Sequence, residues 1–202
     1  MNSFSNIAFI LGALCAWRVS RSVGHGDDWQ PILFALALSI GVSSFIFHSI
    51  PNPETLWLDL VPIQVFGLVL SAYVALKYLR LRAVFTVVLL PAFFLARQFW
   101  IALTPKGALG GGITHIPALL LLITFAFLLH RKDVRLWRYL AAATATYVAA
   151  LVARSFDLVV CAAFPWGLHW VWHLLTALTA SLVLYGVASE PPDTPTGADA
   201  SP

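Results

Sequence analysis

Two histidines four residues apart, His169 and His173, lie in the apolar stretch FPWGLHWVWHLLTALTASLVLYG from Phe164 to Gly186. Ionisable side chains are costly inside such a stretch, and where they persist they mark function. Residues i and i+4 stand one turn apart on a single helical face, so the two imidazoles can grip one metal ion. Ser44 and His48 repeat that offset in an earlier apolar run, and Asp59 follows eleven residues after His48. A third imidazole would complete a three-nitrogen set with a fourth position left open, the pattern of a catalytic rather than a structural zinc site. Zn²⁺ held in that way acidifies a water and polarises a carbonyl. Asp59 is then the candidate general base, taking a proton from the water and returning it to a leaving amine. Ser44 is a candidate donor to the oxyanion, or an orienting partner for a ligand.

For these groups to meet, separate stretches of chain must bring them to one depth. The 202 residues are 60% hydrophobic and only 10% charged, too little polar matter to cover a water-soluble domain. Seven runs have the length and apolarity of spanning helices: Phe4 to Val19, Pro31 to His48, Leu56 to Leu76, Ala83 to Leu103, Ile113 to Leu129, Leu136 to Phe156 and Pro165 to Ala188. The expected fold is an all-α membrane protein, a seven-transmembrane helix bundle formed by residues 1–188. Residues 189–202 form a polar, Pro-rich tail expected to be disordered. MNSFSNIAFI lacks the positive start of a signal peptide, so the first run is read as a helix.

The net charge of +3 does not point to nucleic acid, because the basic residues cluster between apolar runs. Arg18 and Arg21, then Lys77, Arg80 and Arg82, then Arg131, Lys132, Arg135 and Arg138 follow the first, third and fifth helices. The even connections carry little beyond Lys106, which puts the N-terminus outside and the C-terminus inside. Trp17, Trp29 and Trp137 then fall at inner helix ends, and Trp57, Trp100 and Trp166 at outer ones. With these directions His48, Asp59, His169 and His173 all lie in the outer third of the bundle. Arg97, Arg154 and Asp157 share that level and are expected to form a supporting ion-pair network, Arg154 and Asp157 being i,i+3 neighbours. His115 and His130 read as interfacial residues, His25 as part of a loop, and GALGGG, Gly107 to Gly112, as a flexible outer loop. Cys15 and Cys161 make no metal-binding spacing, and whether they pair is left open.

Ser44-x-x-x-His48, Asp59 and His169-x-x-x-His173 together resemble the alkaline ceramidase family, within the CREST group of seven-helix membrane hydrolases that includes the adiponectin receptors. RSFDLVVC, Arg154 to Cys161, is similar to the sixth helix of that family, where an aspartate precedes a cysteine by four residues. The resemblance covers Phe4 to Ala188. It implies a zinc amidase that cleaves ceramide to a sphingoid base and a fatty acid within the lipid bilayer. His48, His169 and His173 would be the zinc ligands, Asp59 the partner of the activated water and Ser44 the stabilising hydroxyl. Eukaryotic members bind calcium through an acidic segment ahead of the first helix; MNSFSN has no carboxylate, so no calcium site is expected. The short loops suit a bacterial member in the cell (inner) membrane, or an ER or Golgi enzyme if the chain is eukaryotic, acting on ceramide or a related N-acyl lipid. Two other functions use the same residues: a zinc-containing receptor of the same group, and a haem-binding electron carrier with His48 and His169 or His173 as axial ligands. A retinal pump is disfavoured, since the seventh run has no lysine.

Overall fold

Each of the seven apolar runs forms a helix, the last only from His169 onward, in the computed structural model, which describes residues 1–24, 27–105 and 107–189. The spans are α1 (Asn2–Val23), α2 (Trp29–Ser49), α3 (Pro53–Tyr78), α4 (Ala83–Leu103), α5 (Ala108–Arg131), α6 (Leu136–Cys161) and α7 (His169–Ser189), each long and apolar enough to cross a membrane. No strand occurs among the described residues. The chain is an all-helical, multi-pass membrane protein. His25, Lys106 and the tail beyond Ser189 lie outside the described residues.

Several helices run past their apolar stretches because polar residues cap them. α3 starts at Pro53 rather than Leu56: Asn52 Oδ1 accepts from the Thr55 N–H at 2.8 Å, and Thr55 Oγ1 accepts from the Asn52 N–H at 3.0 Å. This reciprocal box satisfies two backbone donors that a helix start leaves orphaned. Proline at the first helical position costs nothing there, since its missing N–H would have had no partner. α2 is started by Asp27, whose Oδ1 accepts from the N–H groups of Trp29 and Gln30 at 3.2 and 3.1 Å. α1 is interrupted at Asn6, whose side chain donates to the Asn2 carbonyl at 2.9 Å, leaving a short first turn, Asn2–Ser5, that behaves as a separate unit.

α1 packs between α2 and α7, α3 lies on α2, α6 on α7, and α5 on α6. The main buried cluster takes Ala13 and Ala16 from α1, Ala37 from α2, Tyr73 from α3, Ala143 from α6 and Val187 from α7. Small residues at these contacts let helix backbones approach closely, the main source of packing energy where lipid cancels the hydrophobic drive. By position along each span, this cluster fills the half of the bundle away from the histidines. A polar staple closes that end: Ser20 Oγ donates to Gln30 Oε1, and Gln30 Nε2 donates to the Val187 carbonyl at 3.1 Å, joining α1, α2 and α7. Beside it Lys77 and the Tyr73 hydroxyl both donate to Asp27 Oδ2. The histidine half is thus left freer to hold polar chemistry.

α4 is the least embedded span. Thr86 is its one buried residue, while Val87, Leu95 and Phe99 are exposed on its surface. Such apolar exposure matches a helix bathed in lipid.

Candidate metal centre

His48 occupies the last turn of α2, and the short Ile50–Asn52 link with its capping box returns the chain at once into α3. Asp59, in the second turn of α3, therefore comes back to the level of His48. Ser44, one turn before His48 and buried, places its hydroxyl beside the Asp59 carboxylate. Asp59 Oδ1 is buried and has no hydrogen-bond partner among the described residues. A buried carboxylate oxygen without a partner is costly unless something further meets it.

The start of α7 is set by α6. Asp157 Oδ1 accepts the Leu168 N–H at 2.7 Å, capping α7 across the interhelical gap just before His169. A carboxylate suits the positive end of a helix. Gly167 makes this approach possible: its φ is +57°, and a β-carbon there would run into Asp157 Oδ1 and Cys161 Sγ. Arg154 Nη1 donates to His169 Nδ1 at 3.1 Å and reaches Asp157 Oδ2 at 3.5 Å. The GALGGG segment buttresses this part of α6. Its backbone turns left-handed through Leu109, Gly110 and Gly111, and a β-carbon on Gly110 would sit 2.8 Å from the Arg154 carbonyl.

His173, one turn deeper, is buried. Its Nδ1 lies 3.0 Å from the Asn2 carbonyl and 2.8 Å from Ser5 Oγ. A carbonyl only accepts, so Nδ1 carries the proton and Nε2 the lone pair. Ser5 in turn donates to the Asn2 carbonyl at 2.8 Å, which leaves its oxygen to accept from the imidazole. The first turn of α1 is therefore the orienting partner of His173, a role that sequence reading missed. A hydroxyl at the outer end of the first apolar run, level with the histidines, was the available signal.

These supports bring the three rings together, with centroids 4.6 Å apart for His48 and His173, 5.1 Å for His48 and His169, and 4.5 Å for His169 and His173. One ring nitrogen from each lies within 4.8 Å of the others, close enough for a single metal ion. The donor set fits a divalent ion such as zinc: three neutral imidazoles, with the unpartnered Asp59 oxygen at the same level. His169 adds a condition. A guanidinium only donates, so Nδ1 of His169 accepts from Arg154 and the ring proton sits on Nε2. Ligation through Nε2 needs the other tautomer, for which Asp157 Oδ2, 3.8 Å from Nδ1, is the acceptor at hand.

One expectation needs correction. Arg97 makes no ion pair with Asp157 among the described residues; it lines a pocket with Gln64, His115 and Tyr147. The His115 ring lies 4.8 Å from that of Trp172, and His115 lines the same pocket. His130 is exposed beside Trp137, as its place at a helix end suggests. Cys15 and Cys161 are free thiols, on α1 and α6. No protein-family model matches this sequence, and no curated protein or solved structure matches the chain.

Proposed function

We propose that this chain is a zinc-dependent intramembrane hydrolase that cleaves the amide of ceramide, or of a related N-acyl lipid, to a sphingoid base and a fatty acid. The observation that carries the reading is the meeting of His48, His169 and His173 beside a buried Asp59 oxygen with no partner of its own. When bound, the metal supplies a water acidic enough to attack at neutral pH and a polarised carbonyl. His173, held by Asn2 and Ser5 through Nδ1, presents Nε2; His48 and His169 complete the set. Asp59 Oδ1 takes the proton released as the C–O bond forms and returns it to the amine nitrogen as the C–N bond breaks. Ser44, beside that carboxylate, holds its orientation or donates to the oxygen that gains charge.

The Lys and Arg clusters after α1, α3 and α5 support an outside N-terminus and an inside C-terminus, with the metal centre toward the outer surface. The polar head would meet the metal there while acyl chains stay in the bilayer. A bacterial cell membrane is the favoured location. Histidine rings with centroids 4.5 to 5.1 Å apart leave no slot for a macrocycle, so the hydrolase reading is preferred to haem.

Metal analysis of the purified protein, combined with mass spectrometry of fatty-acid release from ceramides, acyl-amino lipids and phospholipids, tests the proposal. One metal equivalent and release from N-acyl lipids are expected, both lost in His173→Ala. Full activity in a metal-free variant would refute it.

A further inference from the structure

α1 and α7 run side by side in the same direction, meeting at the histidine end through Ser5 and His173 and at the far end through Ser20, Gln30 and Val187. Midway they touch closely: Gly12 has no β-carbon, and the Ser181 hydroxyl occupies the place where one would stand. Around that contact the two helices enclose a groove of about 180 Å³, walled by Cys15 and Ala16 on α1 and by Leu178, Ser181 and Tyr185 on α7. Cys15, Leu178 and Tyr185 are exposed, so the groove opens on the outer surface of the bundle and not into its interior. Leu178 to Tyr185 spans about 10 Å along the helix axis, which suits a stretch of acyl chain and is too small to seat another helix.

The walls offer no free hydroxyl until the far end. Ser181 spends its own on the Ala177 carbonyl at 2.7 Å. Tyr185 differs: it is 43% exposed, and its hydroxyl makes no hydrogen bond among the described residues. Arg18 follows Cys15 by three residues, so it stands on the same face of α1, one turn beyond the groove. Arg18 is six residues past Gly12 and Tyr185 is four past Ser181, so at 1.5 Å per residue the two lie within about 3 Å of one level. Arg18 is exposed and forms no ion pair among the described residues. The Lys and Arg clusters after α1, α3 and α5 make this whole end positive, and the exposed Trp17 marks the level where hydrocarbon gives way to headgroups.

Groove, phenol and guanidinium thus follow one another in the order in which a phospholipid carries its acyl chain, its ester and its phosphate. A phosphodiester matches the guanidinium fork with two hydrogen bonds, and a phenol donates to an ester or phosphate oxygen. A zwitterionic headgroup has the same phosphate but adds a cation, which a positive surface disfavours. We propose that the groove between α1 and α7 is a binding site for an anionic phospholipid, with one acyl chain along the groove and the phosphate on Arg18 and the Tyr185 hydroxyl. The site faces the bilayer, apart from the three histidines, and does not depend on the hydrolase reading.

Native mass spectrometry of the full chain, released from detergent holding phosphatidylglycerol and phosphatidylcholine of the same chain length at equal concentration, reads the occupancy. Phosphatidylglycerol should bind about fivefold or more tighter, the contribution of one arginine at an anionic surface. Arg18→Gln should bring the ratio close to one, while Arg18→Lys should keep most of it. Cys15→Trp fills the groove without touching a charge and should lower the binding of both lipids. Arg131→Gln removes an exposed cation at the same end, on α5, and should change nothing. No preference in the unaltered chain, an unchanged ratio in Arg18→Gln, an equal loss in Arg131→Gln, or unchanged binding in Cys15→Trp would each overturn the proposal, the third by showing a diffuse field in place of a site. Inorganic phosphate that displaces the lipid would also overturn it, since the anion would then bind without the chain. If Cys15→Trp does not fold, Leu178→Trp on the opposite wall takes its place.

Discussion

At the scale of single residues, the site separates groups that hold a metal from groups that move a proton. Asp59 belongs to the second kind: its Oδ1 is buried without a partner, and it shares its surroundings with Ser44 and His48. Asn at this position keeps the shape but cannot take a proton. Asp59→Asn should therefore retain the metal and lose turnover by about 100-fold or more, the usual size of a general-base contribution; metal content and initial rate on the same sample check this, and an unchanged rate removes Asp59 from the chemistry. Asp157 acts through another residue. It caps α7 by way of the Leu168 N–H and lies 3.8 Å from Nδ1 of His169. Removing the charge should weaken metal binding by about 10- to 100-fold, as outer partners of ligating histidines generally do. Competition with a chelating dye reads that affinity directly for Asp157→Asn.

At the scale of elements, the short connections position the site as much as the helices do. The histidines, Ser44 and Asp59 were legible in the sequence because helical spacing and the count of spans fix their depth. The partner of His173 was not, since Ser5 lies 168 residues away and an i+4 pattern carries no information about which span packs beside which. Arg97 was misplaced for the same reason: depth was readable, helix neighbours were not. What the sequence could not show for GALGGG is its neighbour: the missing β-carbons let the chain press on α6. Gly110 has φ +58° and would collide with the Arg154 carbonyl if substituted, while Gly107 has φ +77° and open space around it. Alanine at either should cost roughly 1–2 kcal/mol from the left-handed backbone. Gly110→Ala adds a clash with main chain that cannot swing away, so it should lower the unfolding midpoint well below that of Gly107→Ala. Equal midpoints would mean that the segment does not buttress Arg154.

At the scale of the whole molecule, the bundle divides its stability between two ends. The end away from the histidines is held by the alanine-rich core and by Ser20, Gln30 and Val187, and it has no need of a ligand. The histidine end brings together α2 and α7, with the first turn of α1 leaning on His173. A metal that binds only the folded arrangement stabilises it by linkage, about 2.7 kcal/mol when its free concentration is 100 times the dissociation constant. That gain must be local in origin, because it enters through the ligands alone. Chelation should therefore lower the thermal midpoint of the unaltered chain and leave His173→Ala almost unmoved. Hydrogen exchange should locate the change: amides in the first turns of α1 and α7 should lose protection on chelation, whereas those around Gln30 and Val187 should not. Uniform loosening along all seven spans would instead mean that the metal supports the bundle as a whole, and that the histidine end is not the separable, ligand-dependent half that the placement of its polar groups implies.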